Sequence, residues 1–204
     1  MFLWTLRAHA AALTRDPNNA ALLYYQALLL RPEPNEATFF EIRGVRQGLD
    51  PNEHLRQYLN LQSCQKTIKL ALAATKIPRC NWGFSYSYGH GISTDVSLQL
   101  HQLSGLLEVY ARTLAADGKY REAPEMCLGM CQLAVRIGDD TYFMFYRSHF
   151  VDTRARICIQ HILGSMPLDV DTLTWLQGKL ATGQGTRWRP AKALKNFRYM
   201  QCSF

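Results

Sequence analysis

The sequence predicts an all-α protein made of stacked antiparallel helical hairpins. Three observations lead to this prediction: capping residues and prolines bracket apolar stretches of helical length, strand-like alternation is scarce, and one segment recurs after 34 residues. The 204 residues, 48% of them hydrophobic, are enough for one continuous core. We therefore predict one helical domain over residues 1–182 and a second part, residues 183–204, with a flexible break and a basic helix.

The first two predicted helices begin in the same way. An aspartate in N-cap position followed by a proline in the first turn opens a helix at residues 16–32 and another at residues 50–78. Each stretch ends at a proline, which cannot continue a helix because it lacks an N–H and clashes with the preceding turn. We expect Asp16 and Asp50 to be the two capping residues.

Four more helices are predicted downstream, at residues 93–116, 120–138, 141–164 and 169–182. Ser93 and Thr94 are suitable caps for the first of these, and Asp117-Gly118 predicts the tight turn after it. Gly138 and Gly164 are placed to end the next two helices.

An irregular stretch, residues 78–93, separates the two sets of helices and is called the elbow below. Its sequence "CNWGFSYSYGHGIS" contains four aromatic residues, and Phe84, Tyr86 and Tyr88 would share one side of an extended chain. These aromatics either fill the joint where the helical array changes direction or line a ligand-binding loop. We favour the filled joint.

The elbow also holds residue types that serve in nucleophilic catalysis. His90, Ser93 and Asp95 are close in sequence, but no Gly-x-Ser-x-Gly motif accompanies them, and Ser93 has an ordinary role as a helix cap. We therefore assign no catalytic residue and expect no cofactor.

The recurrence after 34 residues resembles the tetratricopeptide repeat family. Asp16-Pro17-Asn18 returns as Asp50-Pro51-Asn52, and Tyr24 meets Tyr58 at the same offset. Spacings similar to the family signature are found at Trp4, Ala20, Tyr24, Ala27 and Pro32, and again within residues 107–137. The segments "NAALLYYQA" and "PRCNWGFSYSYG" also resemble a group of bacterial helical proteins that offers no activity to transfer.

The family resemblance implies a non-enzymatic scaffold or adaptor that receives a protein or peptide partner on a concave helical surface. The residues predicted to anchor the partner are Tyr24, Tyr25, Tyr58, Trp82, Tyr86, Tyr88 and His90. The alternative function is a small-molecule-binding or metal-binding helical protein, with a hydrolase as one form of it, centred on residues 80–95.

Cysteines and a histidine at helical spacing raise the question of a zinc site. Cys127 and Cys131 share one helix face, as do Cys158 and His161, so two neighbouring helices could bring four ligands together. Buried cysteine also behaves as a small hydrophobic residue, and these pairs lack the tight spacing typical of zinc knuckles. We predict no metal.

Basic charge is concentrated in the C-terminal tail. Residues 179–204 hold six of the 23 Lys and Arg and none of the 16 Asp and Glu, so the remainder of the chain is nearly neutral. A neutral body argues against specific nucleic-acid binding, whereas the tail could contact an anionic membrane surface or cap the last hairpin. Five of these six basic residues lie after residue 183 and are the predicted contacts with an anionic surface: Arg187, Arg189, Lys192, Lys195 and Arg198.

No apolar run is long enough to span a membrane, and the N-terminal stretch is a poor signal peptide. The sequence as written therefore predicts a cytoplasmic protein, or an exported one if a signal peptide has been removed.

Overall fold

The computed structural model describes residues 18–84, 91–138, 142–167 and 169–183, with the backbone alone at residues 91–94, 142–143 and 183. Over these residues the protein is all-α, which confirms the predicted class; the β-type pairing described is an isolated bridge between Asn19 and Arg79. The described helices are α1 (Ala20–Leu30), α2 (Glu36–Arg46), α3 (Glu53–Asn60), α4 (Gln62–Thr75), α5 (Gly91–Ala116), α6 (Glu122–Gly138), α7 (Tyr142–Ser165) and α8 (Val170–Gly183).

Asparagine side chains cap the first three helices. Asn19 accepts a hydrogen bond from the Ala21 N–H, and Asn52 accepts one from the Leu55 N–H. The prediction that Asp50 caps its helix is therefore wrong by two residues, because the chain stays extended as far as Asn52. The corresponding prediction for Asp16 lies outside the described residues. Among the described residues, α1 begins two residues after Asn18 and α3 begins directly after Asn52.

The stretch predicted as one helix over residues 50–78 is two helices. The backbone at Leu61 leaves the helical conformation (φ −52°, ψ 137°), which ends α3 and separates it from α4. The side-chain amide of Gln65 donates to the Leu59 carbonyl across this break at 2.8 Å and so satisfies a carbonyl that the helix leaves open. Sequence reasoning also missed α2, whose cap Asn35 accepts from the Thr38 N–H.

Two groups of helices form one buried core. α1 packs against α4, and α5, α6 and α7 pack against one another, with α5 also contacting α1 and α2. The turn between α5 and α6 spans only residues 117–121, so these two helices are antiparallel neighbours. α6 contacts α4 as well and thereby joins the two groups.

None of the described helices combines the length and hydrophobicity needed to cross a bilayer. The predicted tail helix lies outside the described residues. They therefore do not test the predicted division of the chain between residues 182 and 183.

The turn after α5 depends on a glycine in left-handed conformation. Gly118 has φ +76°, a region that costs an L-residue about 1 kcal/mol. Gly164 lies in α7, and a Cβ atom added to it would meet no other atom within 4 Å. We expect Gly118→Ala to lower the free energy of unfolding by about 1 kcal/mol and Gly164→Ala to raise it by up to about 1 kcal/mol. Urea unfolding of both variants measures the difference; equal effects would contradict it.

Candidate functional site

Trp82 fills the joint between the two groups of helices. Its side chain is 1% exposed and lies against Tyr24 in a stacked arrangement and against Tyr25 edge-on, with ring centroids 5.5 and 5.7 Å away. The indole Nε1 donates to the Arg136 carbonyl at the end of α6, at 3.0 Å. Phe84 also stacks against the indole, with ring centroids 6.5 Å apart. The described half of the elbow therefore packs as a plug.

Polar contacts fix the N-terminal, described part of the elbow. The Asn19 side chain donates to the Asn81 carbonyl and accepts from the Asn81 N–H, both at 2.8 Å. The guanidinium of Arg136 donates to the carbonyls of Ile77 and Pro78. These bonds satisfy backbone groups that have no partner within a helix in this irregular segment.

The three helical tyrosines predicted to anchor a partner are core residues. Tyr24 and Tyr25 are fully buried, and Tyr58 is 9% exposed with its hydroxyl donating to the Pro32 carbonyl. In this conformation they give a partner no surface to contact. Trp82 is buried in the same way, and Tyr86, Tyr88 and His90 lie outside the described residues, as do the five basic residues of the tail.

The hydroxyls of the two adjacent tyrosines differ in their surroundings. Tyr25 donates to the Trp82 carbonyl at 2.8 Å. The Tyr24 hydroxyl is buried without a hydrogen-bond partner in the described part of the chain, and burial raises its pKa. Removing an unpaired buried hydroxyl recovers a desolvation cost, whereas removing a paired one leaves a carbonyl unsatisfied.

We therefore expect Tyr24→Phe to leave stability unchanged or to raise it, and Tyr25→Phe to lower it by about 1 kcal/mol. Thermal and urea unfolding of the two variants, each compared with the wild-type chain, measures this. A larger loss for Tyr24→Phe than for Tyr25→Phe would contradict the assignment of hydrogen bonds.

An open groove of about 830 Å³ lies between α4, α6, α7 and α8. Its walls combine apolar and polar side chains, among them Leu72, Val135, Ile159, Trp175, Cys131 and Asp152. The lining residues of α6 run from Glu125 to Val135, roughly 15 Å along the helix axis. The volume is in the range of binding sites for small molecules or short peptide segments.

Local contacts hold α8, the helix that forms one side of the groove. Asp169 accepts hydrogen bonds from the Asp171 N–H and the Thr172 hydroxyl and so starts α8. The guanidinium of Arg121 lies 5.2 Å from the centre of the Trp175 ring, over its face, which attaches α8 to the turn before α6. Trp175 itself is half-buried and lines the groove.

The groove contains a thiol that is not activated. Burial and the neighbouring Asp152 carboxylate raise the pKa of Cys131 to about 12. Arg156 donates to Asp152 at 2.7 Å, which makes a charge pair beside the thiol. Cys131 is therefore protonated at neutral pH, whereas nucleophilic cysteines have a depressed pKa.

The four residues considered for zinc do not converge. Cys127 and Cys158 are fully buried between α6 and α7 and interact with each other, and burial together with the Cys158 contact raises the pKa of Cys127. Cys131 faces the groove, and His161 is exposed. In the described part of the chain no group of three His, Cys, Asp or Glu side chains could hold a metal ion.

The residues considered for nucleophilic catalysis are mostly outside the described side chains. This holds for His90 and Ser93, while Asp95 lies exposed near the start of α5. The contacts described for the elbow thus include none that would orient a catalytic base.

A buried carboxylate surrounded by arginines lies on the face of α5 toward α2 and α7. Glu108 Oε2 is 3.1 Å from Arg46 Nε and 3.2 Å from Arg154 Nε, and Glu108 Oε1 is 3.4 Å from Arg112 Nη2. The side chains of Glu108 and Arg112 are 5% and 6% exposed. We call these four residues the arginine cluster.

His101 continues the arginine cluster along α5. Arg154 Nη2 lies 3.1 Å from His101 Nε2, and because a guanidinium only donates, Nε2 is the acceptor and the ring proton is on Nδ1. Burial, and then the positive charges of Arg154, Arg46 and Arg147, lower the pKa of His101 to about 4. His101 is therefore neutral at pH 7.

The neutral state of His101 makes stability depend on acidity. The pKa of the imidazole is near 6.5 in the unfolded chain and about 4 in the folded protein. The contribution is therefore complete above pH 6.5 and is lost as the pH falls toward 4. We expect the wild-type chain to lose about 1–2 kcal/mol more than His101→Gln over this window, since the ring is partly exposed.

Urea unfolding at pH 7 and pH 4.5 measures this difference. His161→Gln, a substitution at an exposed histidine of α7, is the matched control. Parallel pH profiles for the wild-type chain and His101→Gln would contradict the prediction.

Neither the groove nor the arginine cluster was identified from the sequence. The Glu108 and Arg112 pair is visible as an i, i+4 spacing in a predicted helix, but nothing local indicates that it is buried. The groove depends on how α8 lies against α6 and α7.

The comparisons with known proteins return no similarity from which a function could be transferred: no protein-family model, curated protein or solved structure matches the chain.

Proposed function

We propose that the protein is a non-enzymatic adaptor that binds a short segment of a partner protein in the groove between α4, α6, α7 and α8. The observation that carries this proposal is the groove itself: about 830 Å³, open to solvent, with partly exposed apolar walls and a protonated thiol. A roughly 15 Å path along α6 accommodates about five residues of extended peptide.

The charges around the groove favour an acidic partner segment. Asp152 is paired with Arg156, whereas Lys76 and Lys179 make no ion pair with a described residue and Glu125 is the remaining acidic group. The unpaired lining charges therefore sum to one positive charge. We propose that the partner inserts a bulky apolar side chain beside Trp175 and places an acidic residue near Lys76 or Lys179.

The stacked-hairpin architecture belongs to this proposal. Support comes from the short antiparallel connection between α5 and α6 and from the helices that follow both Asp-Pro-Asn segments. An array of this kind presents a continuous helical surface on which segments of other proteins bind. The alternative, small-molecule or metal binding around residues 80–95, has no described contact in its favour.

Selection of displayed random dodecapeptides on the full-length chain tests the proposal. Selected peptides, labelled and titrated by fluorescence anisotropy, are expected to contain an apolar residue next to Asp or Glu. Val135→Arg should weaken their binding at least tenfold, because it places a long charged side chain on the half-buried wall of the groove.

Ile157→Arg is the matched control, since Ile157 lies on the exposed face of α7 and does not line the groove. Binding that survives Val135→Arg but is lost in Ile157→Arg would contradict the groove as the site. Failure to select any peptide that depends on Val135 would contradict the proposal as a whole.

A further inference from the structure

The arginine cluster carries more positive charge than its carboxylate can balance. Arg46, Arg112 and Arg154 surround the single charge of Glu108, so the four residues carry two excess positive charges. Arg147 lies close enough to His101 to contribute to its lowered pKa. Burying like charges together is costly unless an anion accompanies them.

The guanidinium groups also hold unused hydrogen-bond donors. The Oε2 atom of Glu108 accepts no hydrogen bond although two Nε atoms lie within 3.2 Å, so those N–H groups point elsewhere. Arg112 is nine-tenths buried, yet its Nε has no hydrogen-bond partner among the described residues. Neither Arg46 nor Arg112 makes a hydrogen bond to a described residue, and an acceptor-only group would satisfy both.

We propose that the arginine cluster is a binding site for the phosphate group of a small phosphate monoester. A phosphate monoester carries between 1.5 and 2 negative charges at neutral pH, about the excess of the cluster, and its oxygens accept several hydrogen bonds at once. The planar guanidinium geometry of Arg46 and Arg112 matches phosphate oxygens in a two-point contact.

The position of Arg46 gives the ligand a route to the site. Its side chain is 35% exposed at the C-terminal end of α2, whereas Arg112 and Glu108 lie beneath it in the interior. Arg46 would meet the phosphate at the surface and Arg112 would hold its inner oxygens. The site lies on the opposite side of α7 from Asp152 and Arg156, so it is independent of the peptide groove.

Isothermal titration of the full-length chain at constant ionic strength tests this site. Inorganic phosphate and glycerol 3-phosphate are the two probes, because tighter binding of the second would show that the ester group also contributes. We expect saturable binding of at least one probe, a loss of about tenfold or more for Arg46→Gln and for Arg112→Gln, and tighter binding for Glu108→Gln.

Arg56→Gln is the matched control, since Arg56 pairs with Asp117 on the surface away from the cluster. Arg46→Gln keeps the test valid if the buried Arg112 variant fails to fold, and Val135→Arg should bind phosphate as the wild-type chain does. No saturable binding by the wild-type chain, or equal binding by Arg46→Gln and Arg56→Gln, would overturn the proposal.

Discussion

Trp82→Ala is expected to lower the free energy of unfolding by about 3–5 kcal/mol, the largest effect of any single truncation considered. The indole is 1% exposed and touches the aromatic rings of Tyr24, Tyr25 and Phe84, so its removal leaves a cavity among rigid neighbours. The substitution also removes the donor to the Arg136 carbonyl. Both losses fall where Trp82 of the elbow meets residues of α1 and α6.

Two further variants separate these contributions. Trp82→Phe keeps an aromatic ring for stacking but not the indole N–H, and it should cost less than Trp82→Ala. Trp175→Ala, at the half-buried edge of the groove, is the control for replacing a tryptophan outside the core and should cost about 1–2 kcal/mol. Urea unfolding followed by far-ultraviolet circular dichroism measures all three.

The result would contradict our description of the joint if Trp82→Ala and Trp175→Ala were equally destabilising. It would mean that the elbow contributes no more to the core than the loosely attached α8 does. The packing of Trp82 links the two groups of helices in addition to the direct contact between α4 and α6, so its energetic contribution tests this part of the architecture.

Local signals allowed the all-α class and six helical regions to be predicted. Proline and glycine act on the backbone near their own position, which is why the turn at Gly118 was predicted correctly. The cap of α3 was predicted at Asp50, but Asn52 is the residue that caps this helix. Aspartate and asparagine cap helices equally well, so the residue types alone do not distinguish the two positions. At α2 the sequence has a cap of the same kind, Asn35, followed by the acidic Glu36 in the first turn.

Other features depend on long-range contacts that no local pattern contains. Leu61 interrupts a run of good helix formers without a glycine or proline to mark the break. The plug at Trp82 was favoured from composition, but its partners in α1 and α6 lie more than 50 residues away in the chain. The tyrosines predicted as anchors fit a helical face, and the sequence did not tell that this face is buried.

Glu108→Gln is expected to lower the free energy of unfolding by about 3–5 kcal/mol at neutral pH. The substitution keeps the shape of the side chain and removes the only negative charge of the arginine cluster. Arg112 and Arg154, whose side chains are 6% and 13% exposed, would then repel each other and Arg46 in surroundings that screen charge poorly. The pair energy itself is modest; the cost is that of uncompensated buried charge.

Asp117→Asn is the control, because it removes a carboxylate from the partly exposed pair with Arg56 and should cost no more than about 1 kcal/mol. The double variant Glu108→Gln/Arg112→Leu removes one excess charge and should recover part of the loss, a coupling that a double-mutant cycle measures. Equal losses of unfolding free energy for Glu108→Gln and Asp117→Asn would mean that water reaches the cluster and screens its charges. A loss that the second substitution does not reduce would mean that the amide disturbs packing rather than charge, and the cluster would then hold no electrostatic excess for an anion to balance.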